Sequence, residues 1–289
     1  MNRLLRNALA LVREALRRFS RHHCGIMAAA TSFYALLSLV PLALLAISIF
    51  GRILSPEEAQ RRVLDLIQAA VPGSSPRPFL GAIRTIASHE SRWFVNSVGL
   101  FALLWAGTGL LGNLSSFLTI AWTGRTGART FLGRRLVALA AIAVAGLFFF
   151  LSVVFTSVMA ALSSHRGQFA LLLEVVSRVS KVTELLLATV VAIAMFFLLY
   201  RFLPAARVTN RAALVGAIPA ALLWHLSRLL FRLLVASSAR YGQIYGPLAG
   251  VVIFLLWVYY SGIILFYCAE IAAAYQDRFA PARSSPDQP

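Results

Sequence analysis

A short stripe of ionisable side chains lies within one of the most apolar stretches of the sequence. His225, Arg228 and Arg232 follow one another at steps of three and four residues, which places them within about 60° on one helix face. Ionisable groups inside apolar spans are costly and by default indicate a functional site. A guanidinium binds phosphate through two parallel hydrogen bonds, so the stripe predicts a groove for an anion or an anionic lipid. The alternative is that Arg228 and Arg232 extend to the outer headgroups without binding a ligand.

A proline and several hydroxyl side chains mark the first apolar stretch. Pro41 removes one backbone hydrogen bond and is expected to bend a helix at that point. In lipid the freed carbonyl needs a partner, and Thr31, Ser32 and Ser38 are close enough in sequence to supply one. Pro41 and Ser38 are therefore predicted to serve gating or packing.

Glu270 lies near the end of the last apolar stretch. It is predicted either to pair with Arg207 or Arg211 as a gate latch or to serve packing at that end of the bundle. Tyr245 and Gly246, just before the same stretch, are also assigned to gating or packing. Tyrosine anchors helices at the headgroups, and glycine lets helices approach closely.

Enzymatic chemistry has little support in the sequence. Metal-dependent hydrolysis of a phosphodiester needs clustered Asp, Glu or His ligands, whereas the histidines are scattered at 22, 23, 89, 165 and 225. The sequence contains no Gly-x-x-x-x-Gly-Lys phosphate loop, and its two cysteines exclude a disulfide framework. We therefore expect no catalytic residues, no metal and no cofactor, and a protein that is not an enzyme.

The composition identifies the kind of scaffold that must position these residues. Of the 289 residues, 60% are hydrophobic and only 13% are charged, whereas soluble domains are about a quarter charged. Crossing about 30 Å of hydrocarbon takes roughly 20 helical residues. Six stretches meet that length, and they predict an all-α membrane domain over 23–276 with spans at about 27–50, 93–118, 136–162, 182–203, 212–235 and 248–275.

Three segments lie outside the predicted spans. Residues 1–22 carry apolar side chains at helical spacing opposite several arginines, which predicts an amphipathic helix in the headgroup plane, the alternative being a plain solvated helix. Residues 51–92 contain Ser55-Pro56-Glu57-Glu58, the pattern of a capping box, and predict short helices on the extracytoplasmic side. The tail 277–289 is rich in Pro and Ser and is predicted to be disordered in the cytoplasm.

Arginine-rich segments predict the orientation. The amino-terminal tail, the loop 123–135 and the loop 204–211 share one side if the chain has six spans, and the loop 123–135 carries arginines without any acid. Because basic loops remain inside, both termini are predicted to be cytoplasmic. The net charge of +17 would suggest nucleic acid in a soluble protein. In a membrane protein the same arginines are expected at anionic headgroups, and no nucleic-acid partner is predicted.

Three stretches together resemble one family. SFYALLSLVPL at 32–42, FLPAARVTNRAALVGA at 202–217 and YGQIYGPLAGVVIFLLWVYYSGIILFYCAEI at 241–271 resemble segments of the YihY/virulence factor BrkB family. The sequence departs from the family pattern at Thr119, where Asn is usual, and at Cys268, where Gly is usual. The resemblance implies a six-spanning protein of the bacterial inner membrane. Members once carried a ribonuclease BN label and have been linked to envelope lipid export and serum resistance, with no established catalytic residues.

These observations lead to two candidate functions. The first is a transporter or lipid-translocating protein for an anionic amphipathic envelope molecule, with membrane lipids as partners and a possible homo-oligomer. The alternative is a non-transporting membrane scaffold, an envelope-assembly or virulence-associated factor. A cavity lined by the span-five arginines would favour the first, and a solid bundle with Arg228 facing bulk lipid would favour the second.

Overall fold

The structure, a computed structural model, consists of helices wherever it describes the chain. Within the described residues every regular element is an α-helix, which confirms the all-α class for them. The described residues are 3–50, 112–125, 188–236 and 248–279, together with 61, 110, 186 and 245. In chain order the helices are α1 Arg3–Arg21, α2 Cys24–Phe50, α3 at 112–123, α4 Ala188–Phe202, α5 Asn210–Ala236 and α6 Ala249–Phe279.

Two of these helices are long and apolar enough to cross a membrane. The qualifying stretches are Asn210–Val235, with 26 residues, and Ala249–Phe279, with 31 residues. At 1.5 Å per residue both exceed the roughly 30 Å of a hydrocarbon core. Two shorter apolar stretches are Cys24–Leu39, within the 27-residue helix α2, and Ala188–Phe202 in α4.

The predicted spans 212–235 and 248–275 are thus confirmed as apolar helices of spanning length. The predicted span 136–162 lies outside the described residues. Most of the predicted span 93–118 also lies outside the described residues, and so does the segment 51–92 except for Arg61.

Two helices end later than the sequence predicts. α3 continues to 123 instead of 118, and Gly124 then adopts a positive φ of 67°. Its N–H donates to the carbonyl of Ile120 at 2.8 Å, which is how glycine commonly ends a helix. α6 runs to Phe279, into the tail predicted to be disordered from 277. Asp277 is held there by Arg18, with the two side chains 2.7 Å apart.

α6 is the element on which the other long helices pack. It makes extensive contacts with α5, α2 and α1. Gly216 permits close approach of α5, because a Cβ at that position would lie 2.8 Å from the carbonyl oxygen of Cys268. Gly262 does the same toward α2, where a Cβ would lie 3.1 Å from the Cβ of Ala28. Contacts through small residues are the usual way for membrane helices to approach one another closely.

Three connections meet at the carboxyl-terminal end of α6. Arg18 of α1 binds Asp277. The side-chain oxygen of Gln276 accepts a hydrogen bond from the backbone of the loop 203–209 at 2.9 Å. The same loop donates a backbone hydrogen bond to the hydroxyl of Thr119, in the last turns of α3, at 2.8 Å. The amino-terminal helix, the end of α3 and the loop between α4 and α5 therefore lie at one end of the bundle.

Candidate functional site

The stripe predicted from the sequence lies along one edge of α5. His225 and Arg228 are half-buried, and Arg232 is exposed. Nε2 of His225 and Nε of Arg228 are shielded from solvent, and neither finds a hydrogen-bond partner in the described part of the chain. The structure therefore places two unpaired polar nitrogens one helical turn apart, with Arg232 a turn further along at the surface.

Aromatic side chains lie beside Arg228. Its guanidinium carbon is 5.8 Å from the ring centroid of Trp224, within the range of a cation–π contact. Trp224 and Phe231 both contact Trp257 of α6, with ring centroids 5.3 and 5.1 Å apart, and side chains of α2 pack on this cluster. No ion pair links Arg228 to an acidic residue among those described. A half-buried cation of this kind needs water or an anion.

The hydroxyl groups near Pro41 act differently from the prediction. α2 remains helical to Phe50, while the side chain of Pro41 lies outside the described residues. The proline frees the carbonyl of Leu37, four residues earlier. The hydroxyls donate elsewhere: Thr31 to Met27 at 2.8 Å, Ser32 to Ala28 at 2.9 Å and Ser38 to Ala35 at 2.9 Å. The predicted compensation is therefore wrong, because each hydroxyl reaches only a preceding carbonyl of its own helix.

Glu270 forms a second polar cluster with His22 and Cys24, which lie 248 and 246 positions earlier in the sequence. Its side chain is only 1% exposed. Oε1 lies 2.7 Å from Nδ1 of His22 and accepts a longer hydrogen bond from Sγ of Cys24 at 3.8 Å. Oε2 is buried without a partner in the described part of the chain. The predicted pairing of Glu270 with Arg207 or Arg211 is thus wrong, because the junction of α1 and α2 occupies this face of α6.

The turn between α1 and α2 positions His22. The backbone N–H of His22 donates to the carbonyl of Arg18 at 2.8 Å, and His23 has a positive φ of 51°. This turn directs His22 toward α6, whereas His23 is exposed. Adjacency in the sequence predicts that the two rings point in different directions, but it gives no signal for which of them meets α6. Only the packing of α1 against α6 reveals it.

Arg18 fastens α1 to the end of α6. It binds Asp277 at 2.7 Å and Glu14, one turn earlier in α1, at 3.2 Å. Partial burial lowers the pKa of the Arg18 guanidinium, but the hydrogen bonds and charges of Asp277 and Glu14 outweigh burial and leave that pKa above its ordinary value. Arg18 therefore stays charged and contributes to holding α1 in place.

The side chains of Arg207 and Arg211 join neither cluster in the described part of the chain. The side chains of Arg207 and Arg211 are exposed, and only the backbone carbonyl of Arg207 is engaged, by Gln276 at 2.9 Å. Tyr245 is 43% exposed, and Gly246 lies outside the described residues. Among the residues that the structure describes, no group of His, Cys, Asp and Glu side chains is arranged to hold a metal ion.

Comparison with known proteins identifies the family of this chain. The family model described as virulence factor BrkB matches residues 15–289. The chain belongs to this family. The BrkB resemblance read from the three sequence stretches is thereby confirmed, and it extends over nearly the whole chain.

Relatives of this BrkB-family protein are named as membrane proteins. A UPF0761 membrane protein of Methylibium petroleiphilum is 29% identical over 92% of this chain, which spans 61% of that relative's length. A second, from Pseudoalteromonas atlantica, is 27% identical over 92% of this chain and 86% of its own length. The UPF0761 membrane protein YihY of Salmonella newport is 36% identical over 40% of each chain. No solved structure matches the chain. The chain is therefore a membrane protein of the BrkB/YihY family.

Proposed function

We propose that this BrkB-family membrane protein translocates an anionic amphipathic molecule of the bacterial envelope, and that His225 and Arg228 contact its anionic group. The observation that carries the proposal is the half-buried guanidinium of Arg228 beside Trp224, whose Nε has no hydrogen-bond partner among the residues that the structure describes. Phosphate is the group that a guanidinium binds most specifically, through two parallel hydrogen bonds.

The surface beside this stripe suits the apolar part of such a molecule. Exposed leucines border the His225 edge of α5, about 40–100° further around the helix. A molecule with its phosphate at Arg228 can lay its acyl chains along these side chains without leaving an apolar environment. The leucines are Leu222, Leu226, Leu229 and Leu233.

The orientation that we propose is a bacterial inner-membrane protein with six spans and cytoplasmic termini. The basic segments support it: α1, the end of α3 and the loop 203–209 meet at one end of α6. Arginine-rich segments remain on the cytoplasmic side of inner membranes.

Labelling of single cysteines in intact cells tests this orientation. Cysteines introduced at residues 55–85 should react with an impermeant reagent, and those at 125–135 should react only after permeabilisation. The reverse pattern would overturn the orientation.

The substitution Arg228→Gln tests the proposed anion contact. It removes the charge but keeps much of the length and hydrogen-bonding capacity of the side chain. Loss of charged hydrogen bonds of about 1.5–3 kcal/mol predicts roughly tenfold or greater loss of affinity for an anionic lipid. Native mass spectrometry of purified protein measures copurified anionic lipid, and dithionite quenching of a fluorescent phosphatidylglycerol in proteoliposomes measures translocation.

Arg232→Gln is the matched control, because Arg232 is a turn away on the same edge but exposed. Exposed charges contribute little, so its effect should stay below about fivefold. Equal and negligible effects of both substitutions would mean that the arginines only reach headgroups. Retained lipid binding without any translocation in the unsubstituted protein would favour the non-transporting scaffold.

A further inference from the structure

α1 has three distinct faces, and in the described part of the chain one of them packs closely on protein, with Phe19 at its border also contacting Tyr267. Ala15 is fully buried, and Arg18 and His22 on the same face bind residues of α6. These positions recur at steps of three and four residues, as one helix face requires. The apolar stripe predicted from the sequence is not this face. It lies about 100° further around α1.

Three residues of the predicted apolar stripe, Leu9, Val12 and Leu16, have side chains that the described part of the protein leaves exposed. Leu9 is 73% exposed, Val12 47% and Leu16 60%. The third face, beyond the stripe, carries the exposed arginines Arg13 and Arg17. A helix that turns leucines outward on one side and arginines on the next is typical of the membrane interface.

The attachment of α1 to α6 fixes where these faces lie. His22 and Arg18 bind Glu270 and Asp277, both in the last three turns of α6. Tyr267 adds an edge-on ring contact to Phe19, with ring centroids 6.1 Å apart. Because α6 is long and apolar enough to span a membrane, α1 is held where a span ends and headgroups begin.

We propose that α1 docks on the anionic surface of the bilayer leaflet that surrounds the carboxyl-terminal end of α6, with Leu9, Val12 and Leu16 inserted below the headgroups. Charge complementarity specifies the occupant. Arg13 and Arg17 flank the leucines and match the negative phosphates of the leaflet. Arg17 lies 4.0 Å from Glu14, which also binds Arg18, and Arg13 has no acidic partner among the described residues. An apolar protein partner would therefore leave Arg13 without a counter-charge. This inference is independent of the transport proposal, because it involves neither α5 nor a cargo.

Site-directed fluorescence of the full-length protein in vesicles tests the docking. Leu9→Cys and Leu16→Cys carry an environment-sensitive fluorophore, and Ala10→Cys is the matched control, on the neighbouring face beside Arg13 and Arg17. All three side chains are exposed, so the substitutions leave the packing of α1 and both arginines intact. Cys24 and Cys268 are buried, and the protein without an added cysteine measures their background labelling.

The vesicles contain phosphatidylglycerol and phosphatidylcholine, with a fraction of lipid carrying a shallow nitroxide quencher. We expect the nitroxide to quench the labels at 9 and 16 severalfold more than the label at 10, and aqueous iodide to show the opposite order. Replacing phosphatidylglycerol by phosphatidylcholine, or Arg13 and Arg17 by Gln, should reduce nitroxide quenching at 9 severalfold.

Three outcomes would overturn the docking proposal. Equal iodide quenching at all three positions would show a solvated helix. Protection of position 9 from both quenchers would show that protein, such as a second copy of this chain, covers the leucines. Nitroxide quenching that does not change with lipid charge would remove the role of the arginines.

Discussion

The close approach of α5 to α6 at Gly216 makes a quantitative prediction for Gly216→Ala. The added Cβ would lie 2.8 Å from the carbonyl oxygen of Cys268, 2.9 Å from the Cβ of Ala272 and 3.2 Å from Cδ2 of Tyr200. The first two of these atoms belong to α6 and cannot move without shifting the helix. The alanine therefore forces the two helices apart or strains their packing.

Two opposing effects determine how much stability Gly216→Ala loses. Overpacking of a well-filled interior costs about 1–3 kcal/mol. Alanine is favoured over glycine in a helix by at most about 1 kcal/mol. Two contacts below 3 Å place the overpacking cost in the upper part of its range, at about 2–3 kcal/mol, so after subtraction of about 1 kcal/mol the net loss of stability should be about 1–2 kcal/mol. For a chain of this length that corresponds to a fall of about 2–8 °C in the unfolding midpoint.

Two other glycines provide graded controls. A Cβ at Gly25 would meet nothing nearer than the hydroxyl of Tyr259 at 3.8 Å, an ordinary contact, so Gly25→Ala should leave stability unchanged or raise it by up to about 1 kcal/mol. Gly262→Ala should fall between the two, because its nearest contacts, with Ala28, are at 3.1 and 3.2 Å. The three variants should rank in this order because stability falls as the added Cβ comes closer to the nearest immobile atom.

The buried thiols offer the assay. Cys24 and Cys268 are 3% and 0% exposed, so a fluorogenic maleimide reacts with them only when the bundle opens. Heating purified protein in detergent with this reagent gives a midpoint for each variant. A midpoint for Gly216→Ala equal to or above that of the unsubstituted protein would refute the packing argument. So would a larger fall for Gly25→Ala than for Gly216→Ala.

The remaining predictions concern buried hydrogen bonds, and thermal unfolding followed by tryptophan fluorescence measures all of them. Glu270→Ala should cost about 1–3 kcal/mol, because it removes the hydrogen-bond partner of the His22 ring, and Glu270→Gln should lose less because it keeps a polar group at that position. Equal losses would contradict this. Tyr200→Phe should cost about 1 kcal/mol, since the wholly buried hydroxyl donates to a carbonyl of α6 at 2.9 Å, and a neutral result would show that this bond contributes nothing. Thr119→Val should cost about 1–3 kcal/mol by leaving the N–H of Ala205 without an acceptor, and failure of Thr119→Ser to restore most of that stability would contradict this reason.

Local patterns in the sequence determined the helices. Runs of apolar residues predict α5 and α6 to within a few residues, because helix formation and burial in lipid depend on composition over about 20 consecutive positions. The 3.6-residue periodicity of the amino terminus predicts α1 for the same reason. The stripe of His225, Arg228 and Arg232 also follows from spacing alone, since residues three and four apart share a helix face.

Tertiary packing decided how these helices use their side chains. Glu270 and His22 are 248 positions apart, and no sequence pattern links them, so their hydrogen bond exists only because α1 lies across the end of α6. The same packing buries Ala15 of α1 and leaves the predicted apolar stripe around Leu9 exposed. Periodicity tells which residues share a face, but which face meets protein depends on the shape of the neighbouring helix. That shape is set by residues distant in the chain.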